Sequence, residues 1–350
     1  MKRKEAGNHV VCKMISFILI FMLLLTGVSY IVRTNGHVKN RFAGFYAEEK
    51  NSIDVLLVGA STISTSFSPG SMWGEYGFTS YPLSTNAQRP KAIKYLLEEA
   101  YKYQSPEVVV IELRMFTYEE SEMLTDEAHI REVTDNMRYS LQRVKTVAAM
   151  TDGVDKFEDK LSYYFDIIKY HSNWGMFFEK EELQRMTYRK QDLHKGFEHP
   201  TQIMPHVIEI GVIDEKLAIP KEQEVVLRDL LSYLKEKEQK ALFVATPRIY
   251  EYEYISKMNY MKEIIEQEGF QFADFMYSDV YDFQTDLLDG AHTNILGAKK
   301  CSELLGEILV SDYELKNKYG SEGYDSWDES YKAFLEIYNE VNDNKEDYEL

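Results

Sequence analysis

The chain has 350 residues, 44% of them hydrophobic, enough for one large domain or two medium ones. Its 58 acids against 40 Lys and Arg give a net charge of −18, which argues against a nucleic-acid binder that works by neutralising phosphates. Two cysteines, Cys12 and Cys301, exclude a disulfide framework and a cysteine-rich zinc site, and 18 Gly with 8 Pro exclude collagen-like and low-complexity chains.

Residues 14–32 run without a charge, long enough at 1.5 Å per residue to nearly cross the roughly 30 Å hydrocarbon core of a bilayer. Lys2, Arg3, Lys4 and Lys13 precede that run, which predicts residues 1–13 on the cytoplasmic side and everything after Val32 outside. Arg33, Lys39 and Arg41 follow it and weaken the asymmetry. The run is longer than a signal-peptide core, no A-x-A-like site follows, and no Cys follows to carry a lipid; the segment is read as an uncleaved anchor, with a cleaved signal peptide as the competing reading. Residues 33–52 are read as a polar stalk.

From Ile53 the pattern is that of a parallel α/β domain over 53–311. Residues 53–59 and 108–112 are buried-strand runs, with an amphipathic helix at 91–103 between them. Residues 119–205 are polar, rich in Tyr and Met, and helical where they have a period; they are read as an inserted helical region. A charged helix (222–240), a strand (241–247), a helix (255–268) stopped by Gly269, a short strand (270–274), a loop (286–294) and a last helix (295–309) complete the domain. Residues 312–350 carry 12 acids and 4 bases and are read as a surface helix with a frayed acidic end. Strands alternating with helices predict a parallel sheet in three layers.

Sites in such sheets form at the carboxyl ends of the strands. Ser61 lies there in Gly-Ala-Ser-Thr after the first strand, the segment Ser80 to Pro90 is a polar loop, and Asp289-Gly-Ala-His292-Thr-Asn294 precedes the last helix. A serine, a histidine and an acid are the parts of nucleophilic acyl transfer. Taken singly, each has a plainer use: a Ser after a strand usually caps a helix, and Asp-x-x-His is usually a loop feature. His194, His199 and His206 have spacing that fits neither one helix face nor a zinc motif, so no metal is expected. Arg89 and Arg114 flank the presumed site, where a phosphate is one use and a surface salt bridge the default.

With these residues in view, the sequence resembles the SGNH/GDSL hydrolase superfamily, and within it the membrane-anchored branch of D-alanyl-lipoteichoic acid biosynthesis and polysaccharide O-acetylation proteins. Residues 53–112 and 241–309, roughly a third of the chain, carry the resemblance. Its first block is Asp54-Val-Leu-Leu-Val-Gly-Ala-Ser61-Thr and its last is Asp289-Gly-Ala-His292-Thr-Asn-Ile-Leu-Gly297. The resemblance implies a flavodoxin-like three-layer fold, Ser61 as nucleophile, His292 as base and Asp289 as its partner, with no cofactor. Two blocks depart from the family. The strand end Ile111-Glu112-Leu113-Arg114 has no Asn for the oxyanion hole, and Ser84-Thr85-Asn86 replaces the second-block glycine. Asn86 with Gln88 fits the loop of the anchored branch, leaving the Ser61 N–H, Thr85, Asn86, Gln88 and Arg89 as expected oxyanion or substrate contacts.

The expectation is an extracytoplasmic, membrane-anchored serine esterase or O-acyltransferase acting on a cell-envelope glycan or polymer through an acyl-serine. The rival is a non-catalytic protein of the same fold that supports a membrane-bound O-acyltransferase; the missing Asn favours it and the retained Ser61, Asp289 and His292 oppose it. An intracellular lipase-like enzyme would need residues 14–32 to be something other than an anchor.

Overall fold

A computed structural model of the protein describes residues 2–33, 36–124, 126–206, 211–249, 251–276 and 278–348, with side chains from residue 9 onward. Along the chain come α1 (Lys2–Val32), α2 (His37–Ala47), β1 (Val55–Val58), α3 (Ser61–Ser66), α4 (Pro69–Tyr76), β2 (Ser80–Pro82), α5 (Pro90–Ala100) and β3 (Val108–Glu112). Six helices of 4 to 10 residues follow, α6 (Glu120–Met123), α7 (Ala128–Thr134), α8 (Leu141–Met150), α9 (Phe157–Tyr164), α10 (Ile167–Tyr170) and α11 (Lys180–Met186). The rest is α12 (Lys221–Glu236), β4 (Lys240–Ala245), α13 (Tyr252–Gln267), β5 (Gln271–Asp274), α14 (Ile295–Tyr313) and α15 (Asp325–Asp343).

The five strands form one parallel sheet in the order β2-β1-β3-β4-β5, an α/β fold with 15 helices among the described residues. Successive side chains on a strand point to opposite faces, and here both faces are covered. Leu56, Val58, Val109, Ile111 and Phe243 pack with residues of α5, α12 and α13 in one core. Val55, Leu57, Val108, Val110, Leu242 and Val244 pack with Ile63, Phe67, Met72, Cys301 and Leu305 in the other. Each such side chain contributes about 1.5–3 kcal/mol by leaving water. The continuous apolar runs are thus the signature of strands buried twice over. α1 is long and apolar enough over His9–Val32 to span a membrane.

Three regions differ from the sequence expectation. Residues 37–47, read as stalk, form α2, with Val38, Phe42, Phe45 and Tyr46 in the core against Tyr81 and Tyr103. The segment from Ser80 begins with an edge strand, β2, paired in parallel with β1 (Val55 with Ser80). Its short sequence has no apolar run to announce it, and the edge tolerates Pro82 because one side of the strand needs no partner. The C-terminal helix α15, expected as a surface helix with a frayed acidic end, packs one face firmly on α4: Trp327, Phe334 and Val341 are buried, Trp73 Nε1 donates to Asp328 at 2.8 Å and the Trp73 ring stacks on Tyr324. Its other acids line the solvent face of an amphipathic helix.

The helical region after β3 is held partly by charge. Asp166, fully buried, accepts from Arg33 Nε at 2.7 Å and Arg143 at 2.6 Å, and Tyr139 also donates to it. Asp135 takes Tyr170 at 2.8 Å and Arg131 at 3.4 Å. Arg33 directly follows α1, so this network fastens the insertion to the apolar helix.

Candidate active site

Ser61 opens α3 directly beyond β1, and the turn that puts it there needs Gly59. A Cβ at Gly59 would lie 2.7 Å from Glu112 Cβ and 2.8 Å from Ile63, closer than real atoms approach. Glu112 ends β3 beneath this turn; burial pushes its carboxyl up, while the Arg114 N–H donates to it at 2.7 Å.

The loop bearing the acid and the histidine is clamped at both ends. Asn294 caps α14, its Oδ1 accepting from the N–H groups of Leu296 and Gly297 at 3.0 and 3.2 Å while its Nδ2 reaches back to the Thr285 carbonyl at 2.7 Å. Gly297 is required there because a Cβ would sit 2.3 Å from the Asp286 carbonyl oxygen. The Thr293 hydroxyl donates to the Thr65 carbonyl at 3.0 Å and lies 3.1 Å from Ser66 Oγ, tying the histidine loop to the helix that Ser61 starts. Ile249 N–H donates to Gly290 O at 2.9 Å, fixing the loop to the end of β4.

On this frame Ser61 Oγ is 2.7 Å from His292 Nε2, and His292 Nδ1 is 3.0 Å from both Asp289 oxygens. Asp289 Oδ1 also accepts from the backbone N–H of Ala291 at 2.7 Å and of His292 at 2.9 Å. Burial pushes the Asp289 carboxyl up, but the hydrogen bonds from His292 and these N–H groups outweigh it and hold the group at about 2. The carboxylate fixes Nδ1 as the protonated nitrogen, which leaves Nε2 to accept the Ser61 proton. The structure therefore brings together the three residues that sequence placed 228 positions apart (Ser61 to Asp289) at most loosely.

These residues open into a cleft of about 490 Å³ lined by Ser61, His292, Ala87, Arg114, Met115, Tyr118, Glu122, Met123 and His129. The apolar wall and His129 come from the segment after β3 and from α7. Sequence reading named Arg114 but not Met115, Tyr118, Met123 or His129; their only signal was their nearness in sequence to the end of β3.

The expected oxyanion and substrate contacts divide. Asn86 is committed elsewhere: its N–H donates to Glu132 at 2.7 Å and its side chain lies 3.0 Å from Glu132 and 3.3 Å from His37. Arg89 is fully buried and donates to the Met150 carbonyl at 2.7 Å and to Glu120, so it serves the insertion and does not line the cleft. Thr85 and Gln88 are buried on either side of the bent Asn86–Ala87 turn (Ala87 φ 42°), and Thr85 Oγ1 and both Gln88 amide atoms have no hydrogen-bond partner among the described residues. An unmet buried amide costs about 1–3 kcal/mol. His194 and His199 rings sit 4.2 Å apart away from the cleft lining, and His206 meets Phe283 through its backbone. No family model, no curated protein and no solved structure matches this chain.

Proposed function

We propose that the protein is a serine esterase or O-acyltransferase of SGNH type, anchored by α1 with its α/β domain outside the cytoplasm, acting on an ester of a cell-envelope glycan or polymer. The single observation that carries the reading is the continuous chain from Ser61 Oγ through His292 to Asp289, open to a cleft. In the first step His292 Nε2 takes the Ser61 proton as Oγ attacks the ester carbonyl, and it returns the proton to the leaving alkoxide. In the second, water or a sugar or polyol hydroxyl gives its proton to His292 as it attacks the acyl carbonyl, and His292 returns that proton to Ser61 Oγ as the acyl–serine bond breaks. Asp289 keeps the imidazole oriented and offsets its charge. Gln88 is the side chain with unmet donors nearest in sequence to the lining residue Ala87, and it is our candidate for the oxyanion contact beside the Ser61 N–H.

Transfer over hydrolysis is supported by the apolar wall of Met115, Tyr118 and Met123, which excludes water from one side of the ester. One observation favours the accessory reading: Asn86, an expected oxyanion contact, is bound to Glu132. The test is to treat the detergent-solubilised full chain with a fluorophosphonate and, separately, with an activated acetyl ester and candidate glycans. Labelling lost in Ser61→Ala, with acyl transfer lost alongside it, supports the enzyme. Equal labelling of the two proteins, or none of either, sinks it in favour of the accessory role.

A further inference from the structure

The geometry of α1 points to a second feature, independent of the chemistry at Ser61. The helix is solvent-exposed only through Leu24; residues 25–28 are half-buried and 29–33 are buried by the protein itself. From His9 to Leu24 the helix measures about 24 Å at 1.5 Å per residue, short of a hydrocarbon core of about 30 Å. The whole apolar span His9–Val32 measures about 36 Å and suffices. The elements that wrap its last eight residues must then enter the lipid with it.

Those elements are α10, the 3₁₀ turn Trp174–Phe178 and α11. Asn173 Nδ2 donates to the Val32 carbonyl at 3.0 Å, and a Cβ on Gly27 would lie 3.8 Å from Met186 Sδ. Four apolar side chains on these elements face outward, Phe178 91% exposed, Trp174 57%, Ile168 50% and Leu183 45%, beside the exposed charges of Lys169, Glu179, Lys180 and Glu181, a mixture suited to a headgroup boundary. The charges beneath them are the right kind for lipid depth. Arg33 pairs with Asp166 and Lys39 with Glu182, each side chain at most 3% exposed. Ionisable groups at membrane depth face protein and are paired.

We propose that Ile168, Trp174, Phe178 and Leu183 form a collar that seats in the outer leaflet around α1, so that the insertion is an interfacial membrane element as well as a wall of the cleft. Aromatic rings at a headgroup boundary and apolar side chains below it are the expected composition of such a contact. The bilayer, not another protein, is the occupant because the collar is continuous with a helix whose own length demands lipid at that level.

Tryptophan fluorescence tests it in the full chain. Of three tryptophans, Trp73 and Trp327 are buried, leaving Trp174 as the exposed emitter. The protein is reconstituted into phosphatidylcholine vesicles brominated either near the carbonyl end or near the methyl end of the acyl chains. Trp174 emission should be lost to bromine, more strongly to the carbonyl-end label, and that loss should vanish in Trp174→Phe. Phe17→Trp in the Trp174→Phe background reports α1 itself and should respond more strongly to the methyl-end label. Quenching at Phe17→Trp with none at Trp174 would put the collar in water or against a protein and overturn the proposal; quenching at neither would overturn it as well. Phe178→Asp, at a side chain that folding leaves exposed, should weaken Trp174 quenching.

Discussion

The sheet domain and the inserted helices hold together by different physics. In the sheet domain, two apolar clusters sandwich five strands, and alternation along each strand decides which residue goes to which cluster. The insertion adds Ile130, Val133, Val147 and Met150 to one of those clusters but gains its outer structure from Arg33, Arg131, Arg143, Asp135 and Asp166, all buried. Apolar packing is forgiving of partner identity, since any side chain of suitable volume fills the gap. A buried charge network is not, because removing one member strands the others in low dielectric. The difference predicts that the two regions fail separately and under different insults.

The largest effect should follow Asp166→Ala, which leaves Arg33 and Arg143 buried without their shared partner and costs about 3–5 kcal/mol. Limited proteolysis should then cut within residues 120–186 while fragments of the sheet domain persist; an insertion as protected as in the unaltered protein would show that charge does not hold it. Leu305→Ala opens a cavity in the fully buried α14 face and should cost about 3 kcal/mol. Hydrogen exchange should accelerate throughout the sheet domain together, and protection lost only near α14 would break the picture of one cooperative core.

Asp274 sharpens the contrast from the other side, as an acid in the sheet domain with no salt bridge among the described residues. Burial raises its carboxyl to about 6, against a modest opposing hydrogen bond from the Met276 N–H. The folded state then holds a proton that the unfolded state has released, so stability falls as pH rises from about 4 through about 6 and stays lowered above it. Asp274→Asn should raise the melting temperature at pH 7, by on the order of 2 kcal/mol in stability, and change nothing at pH 3. An equal gain at both pH values would rule out ionisation as the cause.

The smallest effect belongs to the seam between the regions. Thr293→Val removes the hydroxyl that meets both the Thr65 carbonyl and Ser66 Oγ, a loss of about 1 kcal/mol, and lets the histidine loop drift from α3. Under the proposed reaction kcat should fall about tenfold with KM unchanged, and Thr293→Ser should restore it. An unchanged kcat would reduce Thr293 to a loop fastener.

The contrast also explains what could be read from sequence. β1, β3 and β4 are legible because strands buried on both faces must be apolar without interruption, and a bilayer-length run announces α1. Ser61, Asp289 and His292 are legible because backbone demands fix their neighbours: the close approach at Gly59, the cap at Asn294 and the contact at Gly297 leave a local trace. The cleft wall is not legible, because Met115, Tyr118, Met123 and His129 reach it through the fold of a region whose partners are charges far away in the chain. Arg89 is illegible for the same reason, its partners being the Met150 carbonyl and Glu120 of the insertion. α2 leaves only a faint trace, since Val38, Phe42, Phe45 and Tyr46 share a helical face within a segment that looks polar on average.

α2 has a further consequence for how such an enzyme would meet its target. A flexible 20-residue stalk over positions 33–52 would let the domain roam by about 25 Å. Instead Arg41 donates to the carbonyls of Ser84 and Gly196 at 2.8 Å and pairs with Glu198, which takes Ser64 of α3 at 3.0 Å. The helix that follows α1 is thereby bolted to both the loop beside the cleft and the helix that begins with Ser61. Under the proposed anchoring, such a mount would hold the cleft at one fixed height above the lipid and confine its search to two dimensions. A polymer would be modified along whichever stretch crosses that height, and its pattern of modification would record distance from the membrane.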